Sequence, residues 1–235
     1  MSSIREIIRS CYPTIDEMPF CAALRDGRFD RAEILRSETV ELYRALNTRG
    51  LIQEMYKEKL RAAVEQGTIS ADDLSTMEEV IDDEGETEEH IDHLDMRYKL
   101  FVGTPVSRNS TLKFSQRLED INNEWMTICR ESKLFTLMAL TAAIEDWYAP
   151  LSSFFEEEYR KRGFTEDELE LFIAHQGADV EHSNAQFAIL EKNAKHYDVD
   201  KLRASINRTF GTSKGYDAAK LELATRDCAL TDLIE

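Results

Sequence analysis

The stretch LFTLMALTAAIEDWYAPLSSFF, residues 134–155, holds only two ionisable acids, Glu145 and Asp146, in an otherwise apolar run. A helix apolar on most of its faces belongs inside a protein, packed on all sides by others. Its most apolar part, residues 134–144, is too short for a bilayer, which needs about 20 residues. The stretch therefore predicts the buried central helix of a bundle. An ionised carboxylate there is costly without a partner, so Glu145 or Asp146 requires a cation.

The rest of the chain agrees with an all-α fold. Only nine glycines and four prolines punctuate 235 residues, and alternating β-branched runs are almost absent. Helices are expected near 30–47, 49–66, 70–83, 88–101, 107–130, 133–162, 166–196, 200–210 and 213–227. Ser70 before Ala-Asp-Asp, and Thr165 followed by Glu168, read as helix starts with a capping residue and an acidic first turn. Pro150 is expected to kink or end its helix. No repeat or linker divides the chain, and a single domain over 1–235 is the expectation.

Composition narrows the partners. With 42% hydrophobic and 32% charged residues the chain reads as globular, and a formal net charge of -17 argues against nucleic acid or an anionic membrane as partner. A small-molecule substrate is expected, and a homodimer would need an exposed apolar helix face. The N-terminal MSSIREIIRSCYPTIDE reads as neither signal nor transit peptide. Four cysteines without CxxC spacing suggest neither a disulfide framework nor a zinc ribbon, and a cytoplasmic location is the default.

Downstream of the apolar helix lies HQGADVEH, His175 to His182. Offsets of 0, 4 and 7 put His175, Asp179 and His182 on one helix face. Upstream, VIDDEGETEEHIDH places Asp83 seven residues before His90, the same stacking if the helix is continuous, although Gly85 falls between them. Each segment alone fits a solvated face. Together with Glu145 they form a set of three carboxylates and three imidazoles: Asp83 or a near neighbour, His90, Glu145, His175, Asp179 and His182. Helical bundles build dinuclear carboxylate sites from ligands projecting inward. His and carboxylate donors suit ferrous iron, or manganese, better than a closed thiolate zinc site, and HExxH is absent. Phe135, Met138, Trp147 and Tyr148 are candidates to hold a substrate over the metals, with core packing the simpler role for each. His93 and His196 read as ordinary surface or supporting histidines.

These motifs resemble the haem-oxygenase-like di-iron oxidases and oxygenases, relatives of the thiaminase II and PqqC folds. In that family the last ligand helix carries HxxxDxxH, matched by His175, Asp179 and His182. An acid about seven residues before a His matches Asp83 and His90, and a Glu on the intervening helix matches Glu145. The family usually has Glu at the first position, where this chain reads IDDEG, so Glu84 competes with Asp83. The resemblance implies a seven- or eight-helix bundle holding two ferrous ions, the second often loosely, with O2 as co-substrate. It makes Glu145 the natural bridge between metals and Glu145 and Asp179 the catalytic carboxylates. Ile144 and Leu171 stand at positions that speak against the para-aminobenzoate-forming branch, which consumes tyrosines beside its metals. The implied activity is oxidation of a small amine- or amino-acid-derived metabolite, by N-oxygenation or C–C cleavage. A metal-free thiaminase-like enzyme using an acid or a Cys, and a non-enzymatic metal-binding or protein-interaction bundle, are the alternatives.

Overall fold

The structure, a computed structural model, describes residues 3–83, 93–113 and 115–234, with the side chain of Asp83 also outside the description. It is all-α. The helices are α1 (Ile4–Arg9), α2 (Pro19–Arg25), α3 (Arg31–Glu65), α4 (Ala71–Asp83), α5 (His93–Lys99), α6 (Gln116–Glu131), α7 (Leu134–Arg160), α8 (Glu170–Lys192) and α9 (Val199–Thr225). Among the described residues the only β-pairing is an isolated bridge between Leu112 and Ile234.

Local chemistry sets most of the helix ends. Asp30 and Glu33 cap α3 reciprocally, Glu33 N–H donating to Asp30 at 2.9 Å and Asp30 N–H to Glu33 at 2.8 Å. Ser70 and Asp73 do the same before α4. Past α7 the chain turns at Gly163, whose φ of 81° lies in the left-handed region that favours glycine. The expected box of Thr165 and Glu168 forms, Thr165 N–H donating to Glu168 at 2.8 Å, and a turn then leads into α8.

Two expectations about helix continuity are corrected. Segments 30–47 and 49–66 are one 35-residue helix: Thr48 turns its hydroxyl back to the Arg44 carbonyl at 2.8 Å without interrupting it, and Gly50 is tolerated in mid-helix. Segments 200–210 and 213–227 likewise fuse into α9. Gly215 serves packing there: a Cβ would meet Ile121 of α6 at 3.1 Å. The single helix expected over 133–162 forms as α7 and does not end at Pro150, its packed flanks outweighing the roughly 3 kcal/mol that an interior proline costs. The helix expected from 107 begins only at Gln116, since Lys113 N–H bonds the Leu233 carbonyl at 2.9 Å instead.

The core comes in two main lobes with a polar waist between them, and a smaller cluster around Val40, Leu118, Tyr216 and Leu223. One lobe gathers Tyr56 and Leu60 of α3, Leu137, Met138 and Leu140 of α7, and Phe187 and Leu190 of α8. The other gathers Ile34 and Leu42 of α3, Leu151, Phe155 and Tyr159 of α7, and Phe172 of α8. Helices α3, α7 and α8 thus run from one apolar lobe to the other, each buried side chain contributing about 1.5–3 kcal/mol. Where they cross the waist they carry Arg44 to Gln53, Glu145 and Tyr148, and His175 to His182. Among the described residues no helix is long and apolar enough to cross a membrane.

Candidate functional site

A cavity of about 190 Å³ opens at the waist, and Glu145, Tyr148, His175, Asp179 and Gln186 are on its wall. The spacing argument for α8 holds in three dimensions: His175, Asp179 and His182 are 8%, 2% and 5% exposed, while Val180 and Glu181 beside them face outward. Two histidines and an aspartate on one buried face need a polar partner or a ligand.

The ring of His175 is oriented by its own helix. Nδ1 lies 2.7 Å from the Leu171 carbonyl, which only accepts, so Nδ1 carries a proton, and in the neutral ring the lone pair then belongs to Nε2. This is the tautomer that metal-binding histidines adopt when a backbone carbonyl supports them. The ring is packed edge-on against Tyr148, with centroids 5.9 Å apart, and against His93 at 4.7 Å.

Of the two roles expected for His93, surface or supporting, the structure excludes the first: the residue opens α5, is 6% exposed and touches His175. His90 and Glu84, and the side chain of Asp83, lie outside the described residues. Among the described residues no three His, Cys, Asp or Glu form a complete metal-binding group. Glu145, His175, Asp179, His182 and His93 are donors of a type that suits iron or manganese.

Of the two acids on α7, Asp146 takes the cation. Arg9 grips it with Nε and Nη2, both at 2.8 Å, and the Tyr12 hydroxyl donates at 2.8 Å. Burial pushes the Asp146 carboxyl up, but these hydrogen bonds outweigh it and hold the group below the usual range. Glu145 faces the cavity instead and accepts a hydrogen bond from Gln186 Nε2 at 2.5 Å. Gln186 is fully buried, and its carbonyl oxygen accepts from the Thr141 hydroxyl and, at 3.3 Å, from Tyr56. Burial drives the Tyr56 hydroxyl far above its ordinary pKa, with the Glu145 charge adding to the effect, so Tyr56 remains a neutral donor. Sequence reasoning missed Gln186, although it extends the 175–179–182 face by one further turn.

Among the four aromatic or sulfur side chains expected to hold substrate, Tyr148 lines this cavity. Phe135 and Met138 are core, and Trp147 donates to the Pro13 carbonyl at 3.1 Å beside Phe210. The cysteines are free thiols away from the cavity wall. Burial pushes the Cys129 thiol up to about 12 and Cys21 higher still, so neither is an ionised nucleophile at neutral pH.

No protein-family model matches the chain, and no curated protein matches its sequence. Similar solved structures do exist. A crystal structure of a CADD-like protein of unknown function from Nostoc punctiforme superposes with a TM-score of 0.67 at 16% identity, covering 94% of this chain and 99% of that one. A second crystal structure with the same description gives a TM-score of 0.59 at 15% identity, covering 94% of each chain. At such identity the likeness concerns architecture: along nearly its whole length, this chain has the all-α fold of that CADD-like protein.

Proposed function

We propose that the chain is a non-haem di-iron enzyme that uses O2 to oxidise a small amine- or amino-acid-derived metabolite, by N-oxygenation or oxidative C–C cleavage. The observation that carries this reading is the orientation of His175. Its Nδ1–H is given to Leu171, which fixes the ring tautomer whose Nε2 is the donor atom a Lewis acid takes, on the wall shared with Asp179 and Glu145.

Glu145, His175, Asp179 and His182 would hold the metals, and contact with His175 adds His93. This reading takes His93 in place of His90. The acid seven residues before His93 is Glu86, which keeps the spacing first read between Asp83 and His90 and supplies the Glu expected there. Iron bound to such a set supplies activation of O2, and manganese meets the same donors. The chain's own residues do the rest. Gln186 aims Glu145, Leu171 fixes the His175 tautomer, and Ile52, Trp125 and Ile144 give the bound substrate an apolar wall.

The test is anaerobic ferrous titration of metal-free protein, followed by rapid mixing with oxygenated buffer and absorption spectroscopy. The expected result is about two irons per chain and an O2-dependent absorption change. Glu145→Ala and His182→Ala should each lower iron content while the protein stays helical. Failure of the wild type to bind iron, or full loading in both variants, overturns the assignment.

A further inference from the structure

Four residues after His93, on the same face of α5, stands Arg97, 7% exposed. Its side chain is on the cavity wall with Glu145, His175 and Asp179, and its Nε is buried with no hydrogen-bond partner among the described residues. Two carboxylates near it, Glu41 and Glu38, are engaged by other cations. Glu41 accepts from Arg44 Nε at 2.8 Å. Glu38 accepts from Lys220 Nζ at 2.5 Å and from the Tyr159 hydroxyl. Two carboxylates therefore serve two other cations, and Arg97 is a third buried cation on that side, reached by Glu41 only through longer-range attraction. Arg49 adds positive charge to the same wall. A buried guanidinium with unused donors is costly, and a carboxylate matches its planar fork. Ile52, Ile81, Trp125 and Ile144 make other parts of the wall apolar.

We infer that Arg97 anchors the carboxylate of the substrate, so that the molecule taken into this cavity is a small carboxylate with an apolar or amine-bearing chain. The anchor lies one helical turn, about 6 Å of rise, from His93. A carboxylate held there places the carbon chain beside the Glu145, His175 and Asp179 wall. The identity of that wall as an oxidation site rests on the proposed function; anion recognition by Arg97 does not.

The test is calorimetric binding to the metal-free protein of three acids, hexanoate, phenylacetate and L-leucine, each against its amide. At least one acid should bind about tenfold or more tighter than its amide, as for a hydrogen-bonded charge. Arg97→Gln should abolish that preference, and Arg97→Lys should keep part of it, circular dichroism confirming the fold of each. No preference in any pair with the wild type overturns the inference without recourse to a variant, and so does a preference undiminished in a folded Arg97→Gln protein. A carboxylate preference in a protein that binds no iron would keep the anchor and remove the di-iron reading. Iron binding without a preference would do the reverse.

Discussion

Gln186 on α8 donates from Nε2 to Glu145 on α7 at 2.5 Å, while Thr141 and Tyr56 hold the other end of the same amide. A neutral, fully buried side chain thus fixes where a cavity-facing carboxylate points. Gln186→Leu keeps the approximate volume and removes every one of these bonds. It should lower stability by about 1–3 kcal/mol, the cost of leaving buried polar partners unsatisfied. Ferrous affinity should weaken by about 10–100-fold, as when a residue supporting a metal ligand is lost. Urea denaturation of the metal-free protein and anaerobic iron titration read the two effects separately. Unchanged iron affinity would show that Gln186 does not position Glu145 for a metal.

The contact between His93 and His175 makes a sharp comparison available within one short segment. His93→Ala should reduce bound iron substantially, and His90→Ala should leave it near the wild-type level. Glu86→Gln and Asp83→Asn should divide in the same way. Metal analysis after anaerobic loading decides it. Loss confined to His90→Ala and Asp83→Asn would restore the assignment first read from spacing.

Lys220 and Glu38 form an ion pair whose side chains are 5% and 2% exposed, with Tyr159 on the same carboxylate and the Lys220 ammonium over the rings of Phe20 and Phe155. Burial works against the charged ammonium, yet Glu38 and Glu41 more than offset it and hold the lysine pKa above its ordinary value. Lys220→Met should cost about 3–5 kcal/mol, because it strands a buried carboxylate. Glu38→Leu combined with Lys220→Met should recover much of that loss. A double-mutant cycle by urea denaturation measures the coupling, and additive losses would contradict it.

Asp146 carries a pH dependence of known sign. Its folded-state pKa is depressed relative to about 3.9 in the unfolded chain, so its stabilising contribution is full above that unfolded value and fades as pH falls through the lower folded one. The stability gap between wild type and Asp146→Asn should be present near about pH 7 and should close below about pH 4. Its size should be on the order of 1 kcal/mol, since the Arg9 side chain is 54% exposed and solvent screens the pair. A gap that widens in acid would contradict the Arg9 and Tyr12 contacts as its source.

What sequence alone determined here is what one helix turn determines. Burial of α7 follows from an apolar run over 134–155 that only the charges of Glu145 and Asp146 interrupt. The common face of His175, Asp179 and His182 follows from 3.6 residues per turn, and the caps at Asp30, Ser70 and Thr165 from side chains three residues apart. These are local relations, and they survive whatever the helix packs against. Tertiary structure alone decided how each helix is rotated against its neighbours. It turned Glu145 to the cavity and Asp146 to Arg9, although the two are adjacent in sequence. It brought His93 to His175 and Arg97 to the cavity wall, and it closed Gln186 onto Glu145. It also carried α3 past Gly50 and α7 past Pro150, where packing along both lobes outweighs local helix-breaking tendencies. No spacing rule encodes such pairings, because they depend on the relative rotation and depth of helices separated by dozens of residues, and that is set only when the two apolar lobes close around the polar waist.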